Sequence, residues 1–210
     1  MNQIGLFSAP ARWSTTFEVG PDALVTHHRD WCQSREFDSF TGADWGQREF
    51  QAPGGSVIPM PRLEAFHGDP GLLYTYSRIT HHAKPWTPNL AWLRDEVRKF
   101  TSIPFNAVFC NRYRNGDDSI GWHADDESSL GPSWPDDIAI ASVSVGAPRT
   151  FHLRNKADHA RKITLSLGNG DLLLMQGSVQ RDWEHCVPKT KKQIGERINL
   201  TFRLVKPLVA

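Results

Sequence analysis

The feature that most constrains this chain is a series of short β-strand patterns that begins near residue 105 and continues almost to the end. Short alternating or apolar runs, bounded by turn residues, predict strands at 106–114, 138–145, 149–154, 162–167, 171–176, 182–187 and 196–205. The run Gly168-Asn169-Gly170 predicts a tight turn between two of them. So many short strands in succession favour a barrel or a jelly roll.

The helical signal precedes this β-rich part. Thr87 can cap a helix that begins at Pro88, and a further strand is predicted at 72–79. The apolar positions of that helix fall on one face: Leu90, Leu93, Val97 and Phe100. We therefore expect a mainly β chain of the α+β class, with helices packed outside the strands.

Composition excludes several classes of protein. Of the 210 residues, 39% are hydrophobic and 22% charged, which argues against wholesale disorder. The net charge of +1 gives no global basic field, so any binding of polyanions needs a local patch. The three cysteines lie far apart without metal-ligand spacing, which predicts a reducing cytoplasm. No apolar run approaches the length of a membrane span, and we expect no membrane association.

The strongest chemical signal is His123-Ala124-Asp125 together with His185. On a strand, positions i and i+2 point to the same side, so one imidazole and one carboxylate converge. Two histidines and one carboxylate form the facial triad of non-haem Fe(II) oxygenases, which leaves metal positions open for a co-substrate and dioxygen. Taken alone, a His-x-Asp match is more often an ordinary polar pair, and its weight depends on the residues around it.

The C-terminal strand alternates strictly, and this leaves two interpretations open. One face carries polar residues: Arg197, Asn199, Thr201 and Arg203. If that face points inward, the buried guanidiniums need an anion, and a dicarboxylate such as 2-oxoglutarate would suit them. If it points outward, it is a solvated face with Ile198, Leu200 and Phe202 in the core. Asn111 and Tyr113 share a strand face and could complete the hydrogen bonds to the same co-substrate.

Taken together, these motifs resemble the AlkB family of nucleic-acid dealkylases, over about residues 60 to 205 and with highly specific motifs. The resemblance is closest to the branch that includes animal homologues two and three. It is carried by Asn111-Arg112-Tyr113, His123-Ala124-Asp125-Asp126-Glu127, Ile140–Gly146, Asp182-Trp183-Glu184-His185 and Arg197–Arg203. Pro61-Arg62-Leu63 and Tyr74–Ile79 resemble the family's substrate-side region.

The resemblance implies a double-stranded β-helix, the jelly-roll core of 2-oxoglutarate oxygenases, with iron held by His123, Asp125 and His185. It implies that 2-oxoglutarate is held by Asn111, Tyr113, Arg197, Thr201 and Arg203. It implies that the substrate is contacted by Asp126, Glu127, Tyr74 and Tyr76, with Asp126 at the position that recognises the base. Residues 1–55 would be an N-terminal extension or nucleotide-recognition lid, and 56–210 the dioxygenase domain.

The expected activity is oxidative demethylation of bases such as 1-methyladenine and 3-methylcytosine in DNA, with RNA as a further substrate. The cofactors would be Fe(II), 2-oxoglutarate and O2, and the partner a single strand or a flipped base. The alternatives are an oxygenase of protein or small molecules and a non-catalytic jelly-roll binding module. We expect a monomer in the cytoplasm, working at the nucleoid of a bacterium or in the nucleus of a eukaryote.

Two further surface features are consistent with nucleic acid. Trp122 and Tyr76 are candidates for stacking on a base. Basic residues cluster at Arg149, Arg154, Lys156, Arg161 and Lys162, and again at Lys189, Lys191 and Lys192. These clusters could contact phosphates, or they could be solvated surface charge.

Overall fold

The computed structural model describes residues 13–32, 37–51, 55–76, 79–131 and 133–206. Before the main helix the strands are β1 (Ser14–Gly20), β2 (Ala23–His28), β3 (Glu49–Gln51), β4 (Val57–Pro59), β5 (Leu63–Gly68), β6 (Leu73–Tyr76) and β7 (Ile79–His82). After helix α1 (Pro88–Thr101) come β8 (Ala107–Tyr113), β9 (Ile120–His123), β10 (Ile140–Gly146), β11 (Arg149–Asn155), β12 (Lys162–Leu167) and β13 (Leu172–Gly177). The short helix α2 (Val179–Asp182), β14 (Trp183–Val187) and β15 (Arg197–Arg203) follow.

These strands form two main antiparallel sheets. The larger sheet has the order β1-β2-β13-β10-β15-β8-β5, and the smaller one has the order β12-β11-β14-β9. From β8 to β15 the chain passes back and forth between the sheets, so that sequence neighbours such as β8 and β9 lie in different sheets. This arrangement is the double-stranded β-helix, and it confirms the predicted jelly roll.

Strand β15 is buried on both of its faces, and this decides between the two interpretations of the C-terminal strand. Every residue of β15 is buried. Ile198, Leu200 and Phe202 pack in a core with α1. The polar residues of β15 take the opposite face, which is turned toward the smaller sheet. The solvated-face interpretation is therefore wrong.

Helix α1 covers the outer face of the larger sheet. Thr87 caps it, because its side chain accepts a hydrogen bond from the Leu90 N–H at 3.3 Å, and Pro88 occupies the first turn as predicted. Leu90, Leu93 and Val97 are at most 1% exposed. Phe100 was predicted on the same face, but it is 41% exposed, with its ring centroid 5.0 Å from that of His28 and 5.6 Å from that of Trp31.

The region before α1 differs from the prediction in two ways. The single strand predicted at 72–79 is a hairpin formed by β6 and β7, with residues 77 and 78 outside the described residues. Strands β1 and β2 were not predicted, and β2 pairs with β13 in the larger sheet. A functional boundary at residue 55 stays a prediction, although β1 and β2 share a sheet with the later strands.

The strands predicted after residue 105 are confirmed to within two residues at each end, and Asn169 and Gly170 form the predicted turn. The strand β9 was not in that set. Among the described residues, no helix is both long and apolar enough to span a bilayer.

The exposure of α1 residues predicts unequal contributions to stability. Leu93→Ala should lower the free energy of unfolding by about 2–5 kcal/mol, because it leaves a cavity under the larger sheet. Phe100→Ala should lower it clearly less, because its ring is already partly in water. Urea denaturation of both variants measures the difference. Equal losses would contradict the packing of α1 described here.

Candidate active site

The structure brings His123, Asp125 and His185 together between the two sheets. The ligand atoms of these three residues all lie within 4.8 Å of one another. His123 ends β9 and is paired across the sheet with His185 on β14, with ring centroids 4.3 Å apart. The prediction that these residues converge is confirmed. Two imidazoles and one carboxylate within reach of one point fit a divalent transition metal such as iron.

Asp125 reaches this point by a different route from the one predicted. The strand ends at His123, so strand alternation does not orient Asp125. Instead, its backbone N–H donates to Oε1 of Gln180 at 2.9 Å. Gln180 lies on α2 and is fully buried. No sequence motif points to Gln180, because its partner Asp125 lies 55 positions away.

The neighbours of the three residues favour the protonation states that a metal needs. Burial lowers the pKa of His185 to about 3, which keeps its imidazole neutral. Burial also acts to raise the pKa of Asp125, but Arg203 and the two histidines outweigh it and hold that pKa below its usual range. Neutral imidazoles and an ionised carboxylate are the forms that coordinate a cation.

Two further contacts orient these groups. Nδ1 of His123 lies 2.8 Å from the Gly121 carbonyl oxygen, so this nitrogen carries the hydrogen and Nε2 is the ring atom suited to a metal. Nη2 of Arg203 donates to Oδ1 of Asp125 at 2.6 Å. The two ligand candidates are thus held by groups outside the set of three.

A small cavity adjoins the three residues. Its walls come from both sheets. They include four of the five residues predicted to hold 2-oxoglutarate: Asn111, Tyr113, Thr201 and Arg203. Asn199, Ser142 and Arg62 also line it. Arg62 was predicted on the substrate side, but it is 2% exposed and its Nε donates to Oδ1 of Asn111 at 2.8 Å.

Arg197, the fifth predicted residue, lies beneath this wall and is 1% exposed. Its Nη2 donates to Oγ of Ser144 at 2.9 Å, and its guanidinium carbon lies 5.3 Å from the Tyr113 ring centroid, whereas Nε and Nη1 make no well-aligned hydrogen bond within the described part of the chain. Burial lowers its pKa to about 10, with Tyr113 acting in the opposite direction. A buried guanidinium with two unsatisfied nitrogens is suited to one carboxylate of a dicarboxylate such as 2-oxoglutarate.

The residues predicted to bind substrate occupy three different environments. Asp126 is exposed, and its Oδ2 lies 3.1 Å from Nζ of Lys156, on the surface rather than in the cavity wall. Glu127 is partly buried, and its Oε2 accepts from the Tyr74 hydroxyl at 2.7 Å. Burial raises the pKa of Glu127 to about 7, opposed by Arg203 and reinforced by Asp125. Of the two carboxylates, only Glu127 is connected, through the Tyr74 hydroxyl, to the Arg203–Asp125 ion pair.

Tyr74 was predicted to line the path of the base, and the structure places it in the interior. It is 0% exposed, and its hydroxyl lies between Arg203 and Glu127, accepting from the first and donating to the second. It therefore supports the site from behind. The backbone of Tyr76 ends β6, but its side chain lies outside the described residues.

Of the surface predictions, stacking by Trp122 stays a prediction, and phosphate contact needs correction at Arg149. Trp122 is absent from the cavity wall, and the guanidinium carbon of Arg154 lies 4.0 Å from its ring centroid. Arg149 is 3% exposed and donates to three carbonyl oxygens, so it is a structural residue and not a phosphate contact. In contrast, all three lysines of the second cluster are exposed: Lys189, Lys191 and Lys192.

Comparisons with known proteins agree with this geometry. A family model described as the 2OG-Fe(II) oxygenase superfamily matches residues 25–203. Alpha-ketoglutarate-dependent dioxygenase alkB homolog 3 of Mus musculus is 45% identical over 160 residues, which cover 72% of this chain and 54% of the relative. DNA oxidative demethylase ALKBH2 of Mus musculus is 40% identical over 180 residues, covering 82% and 72%. The chain thus spans about half the length of the homolog 3 relatives.

A solved structure gives the same fold at lower sequence identity. The structure described as "The structure of OsALKBH1" superposes with a TM-score of 0.57 and 16% identity, covering 90% of this chain and 99% of that chain. At this identity the likeness concerns the fold alone.

The unsatisfied nitrogens of Arg197 predict a specific loss of co-substrate binding. Arg197→Met should weaken the binding of 2-oxoglutarate about a hundredfold, because a buried charge-assisted hydrogen bond is removed. The measurement is a calorimetric titration of the protein loaded with Mn(II) in place of iron. Arg112→Met is the control. Arg112 lies on β8, which pairs with β15, but its Nε donates to Oε2 of Glu196 at 2.8 Å and it lies nearer the surface. Equal affinity in the two variants would contradict this role for Arg197.

Proposed function

This chain belongs to the AlkB family of 2OG-Fe(II) oxygenases, and from that premise we propose that it oxidatively demethylates N-alkylated bases in nucleic acid. The bases are of the 1-methyladenine and 3-methylcytosine type, in DNA and also in RNA, and the outcome is direct repair of alkylation damage. The observation that carries the proposal is the His123, Asp125 and His185 set beside buried guanidiniums in one cavity.

The residues of the site divide the work between two bound groups. His123, Asp125 and His185 would hold iron(II), and Arg197 with the polar cavity wall would hold 2-oxoglutarate. Together with dioxygen, these groups supply the oxidising power that hydroxylates the methyl carbon, with succinate and carbon dioxide as co-products. The hydroxymethyl group then leaves as formaldehyde and restores the base. The protein itself orients the ligands and limits the access of water to them.

Recognition of the damaged base rests on charge. Methylation at the Watson–Crick edge leaves adenine or cytosine cationic, and a nearby carboxylate favours this form over the neutral base. Glu127 suits this role better than Asp126, because Glu127 is joined through the Tyr74 hydroxyl to Arg203, whereas Asp126 pairs with Lys156 on the surface. Tyr74 holds the Glu127 carboxylate by its hydroxyl. The target base must leave its stack to reach the iron ligands, so the substrate is a single strand or a flipped nucleotide.

The names of the relatives support the nucleic-acid substrate, since one group is described as DNA oxidative demethylase. We propose further that the protein works as a monomer in a reducing compartment that contains nucleic acid. The cytoplasm of a bacterium, at its nucleoid, or the nucleus of a eukaryote meets this condition. Cys110 and Cys186 are buried thiols outside any disulfide, which is compatible with such a compartment.

The test uses a single-stranded oligonucleotide that carries one 3-methylcytosine. After incubation with the protein, Fe(II), 2-oxoglutarate and ascorbate, its mass should fall by one methylene, with formaldehyde released. His123→Ala should abolish the change, because a metal ligand is lost. His152→Ala should retain it, because His152 makes its hydrogen bond to Thr164 on the neighbouring strand and is absent from the cavity wall.

The other outcomes separate the alternatives. Succinate formed from 2-oxoglutarate without loss of the methyl group would point to a protein or small-molecule substrate. If the protein binds iron but forms neither succinate nor the demethylated oligonucleotide, the non-catalytic binding module is the remaining alternative.

The positions of the two acidic residues predict which of them selects the base. Glu127→Gln should lower kcat/KM for the 3-methylcytosine oligonucleotide about ten- to a hundredfold, the value of a hydrogen bond to a charged partner. Asp126→Asn should change it little, because its carboxylate already pairs with Lys156. Steady-state kinetics on both variants decide the matter. A larger loss for Asp126→Asn would return the recognition role to that residue.

A further inference from the structure

Glu64 is a buried carboxylate that no step of the proposed reaction uses. It lies on β5, and its side chain is fully inaccessible to solvent. Its two oxygens contact different arginines: Oε1 lies 2.5 Å from Nη2 of Arg62, and Oε2 lies 3.1 Å from Nε of Arg48. A carboxylate in such a place is retained only if its partners compensate its charge.

The first partner leads to the co-substrate side of the cavity. Arg62 lines the cavity, and its Nε donates to Oδ1 of Asn111 at 2.8 Å. Glu64 and Asn111 are also directly opposite each other on the paired strands β5 and β8. The orientation of the Asn111 amide therefore depends on Arg62, and the position of Arg62 depends on Glu64.

The second partner leads to the two small hairpins outside the main sheets. Arg48 immediately precedes β3 in the β3–β4 hairpin, and its guanidinium lies against the ring of His81 in β7. The backbone of Glu64 also exchanges two hydrogen bonds of 2.9 Å with Gly46. One residue thus fixes the base of the first hairpin and, through Arg48, contacts the second.

Charge makes Glu64 the common element of this cluster. Burial lowers the pKa of Arg48, and the neighbouring Arg62 lowers it further, while Glu64 opposes both. Burial, followed by the Arg48 charge, lowers the pKa of His81 to about 3, so His81 is neutral and does not compensate the charge of Arg48. Without Glu64 the two guanidiniums would repel each other across a poorly solvated space.

The hairpins carry features expected of a nucleic-acid contact. Val57 and Ile58 of β4 and Ile79 of β7 are exposed apolar residues, at 54%, 41% and 38%. Tyr74, which holds Glu127, lies on β6 in the second hairpin. The cluster around Glu64 therefore stands between these hairpins and the wall of the co-substrate cavity.

We propose that Glu64 is a positioning residue that joins the β3–β4 and β6–β7 hairpins to Asn111, so that the substrate side and the co-substrate cavity keep a fixed relative position. The assignment of the hairpins to the substrate side rests on the proposed function. The consequence is coupling: consumption of 2-oxoglutarate stays matched to removal of methyl groups. A small misplacement of the two sites breaks this match, because oxidation then proceeds without the methyl carbon in reach.

The test is Glu64→Gln, which keeps the size of the side chain and removes its charge. The expected result is a rise of about tenfold in succinate formed per methyl group removed and in the KM for 2-oxoglutarate. Two readouts do not need turnover. The dissociation constant of 2-oxoglutarate from the Mn(II)-loaded protein should rise, and amide hydrogen exchange in the metal-free protein should accelerate at 46–51 and 79–82.

Two further variants separate positioning from general damage. Glu196→Gln removes the same charge from a partner of Arg112, which neighbours Asn111 on β8, and should leave every readout unchanged. Arg48→Gln cuts only the link to the hairpins. It should reproduce the uncoupling and the faster exchange, and combined with Glu64→Gln it should add little, because both act through one contact.

Several results would overturn the proposal. One is a wild-type ratio of succinate to demethylation in both Glu64→Gln and Arg48→Gln. Another is exchange that accelerates evenly over the whole chain, which would show that Glu64 only stabilises the fold. If the wild-type protein removes no methyl group, the proposed function fails, and the affinity and exchange measurements still decide whether Glu64 links the hairpins to the cavity.

Discussion

Arg203 and Asp125 form an ion pair in the interior, and each can be charged there only because the other compensates it. The geometry of the site follows from this pair. Asp125 stays ionised and can serve a metal, while Arg203 also donates to the Tyr74 hydroxyl, which in turn holds Glu127. The carboxylate suited to the metal and the carboxylate suited to the base are thus fixed by one guanidinium. A change at Arg203 would disturb both.

The strand that carries Arg203 shows how a jelly roll makes room for such chemistry. Strand β15 is buried on both faces, so its apolar residues pack against α1 while its polar residues meet the cavity. Burial of polar side chains is costly unless they are paired, and most of those on β15 are paired. Two nitrogens of Arg197 make no well-aligned hydrogen bond within the described residues, which suits this guanidinium to the co-substrate carboxylate proposed above. At β15 the larger sheet therefore has an apolar outer face and a polar inner face that lines the cavity.

Buried charge recurs on the substrate side of the cavity, in Arg48, Glu64 and Arg62. That cluster resembles the Arg203 pair in one respect: a single central group satisfies two partners that belong to different parts of the chain. Such groups transmit position, because neither partner can move without exposing an uncompensated charge. The proposed function requires that a co-substrate and a nucleotide be held in register, and links of this kind would serve it.

The sequence alone determined the strand series after residue 105, the helix cap at Thr87 and the identity of the His123, Asp125 and His185 set, because these depend on local periodicity and on specific motifs. Tertiary structure alone decided what depends on distant partners. It buried Tyr74 and Arg149, turned Asp126 toward Lys156, and placed Gln180 behind Asp125. It also brought Glu64 between two arginines. Local patterns specify which face a residue takes, but burial and charge compensation depend on which strands the fold brings side by side.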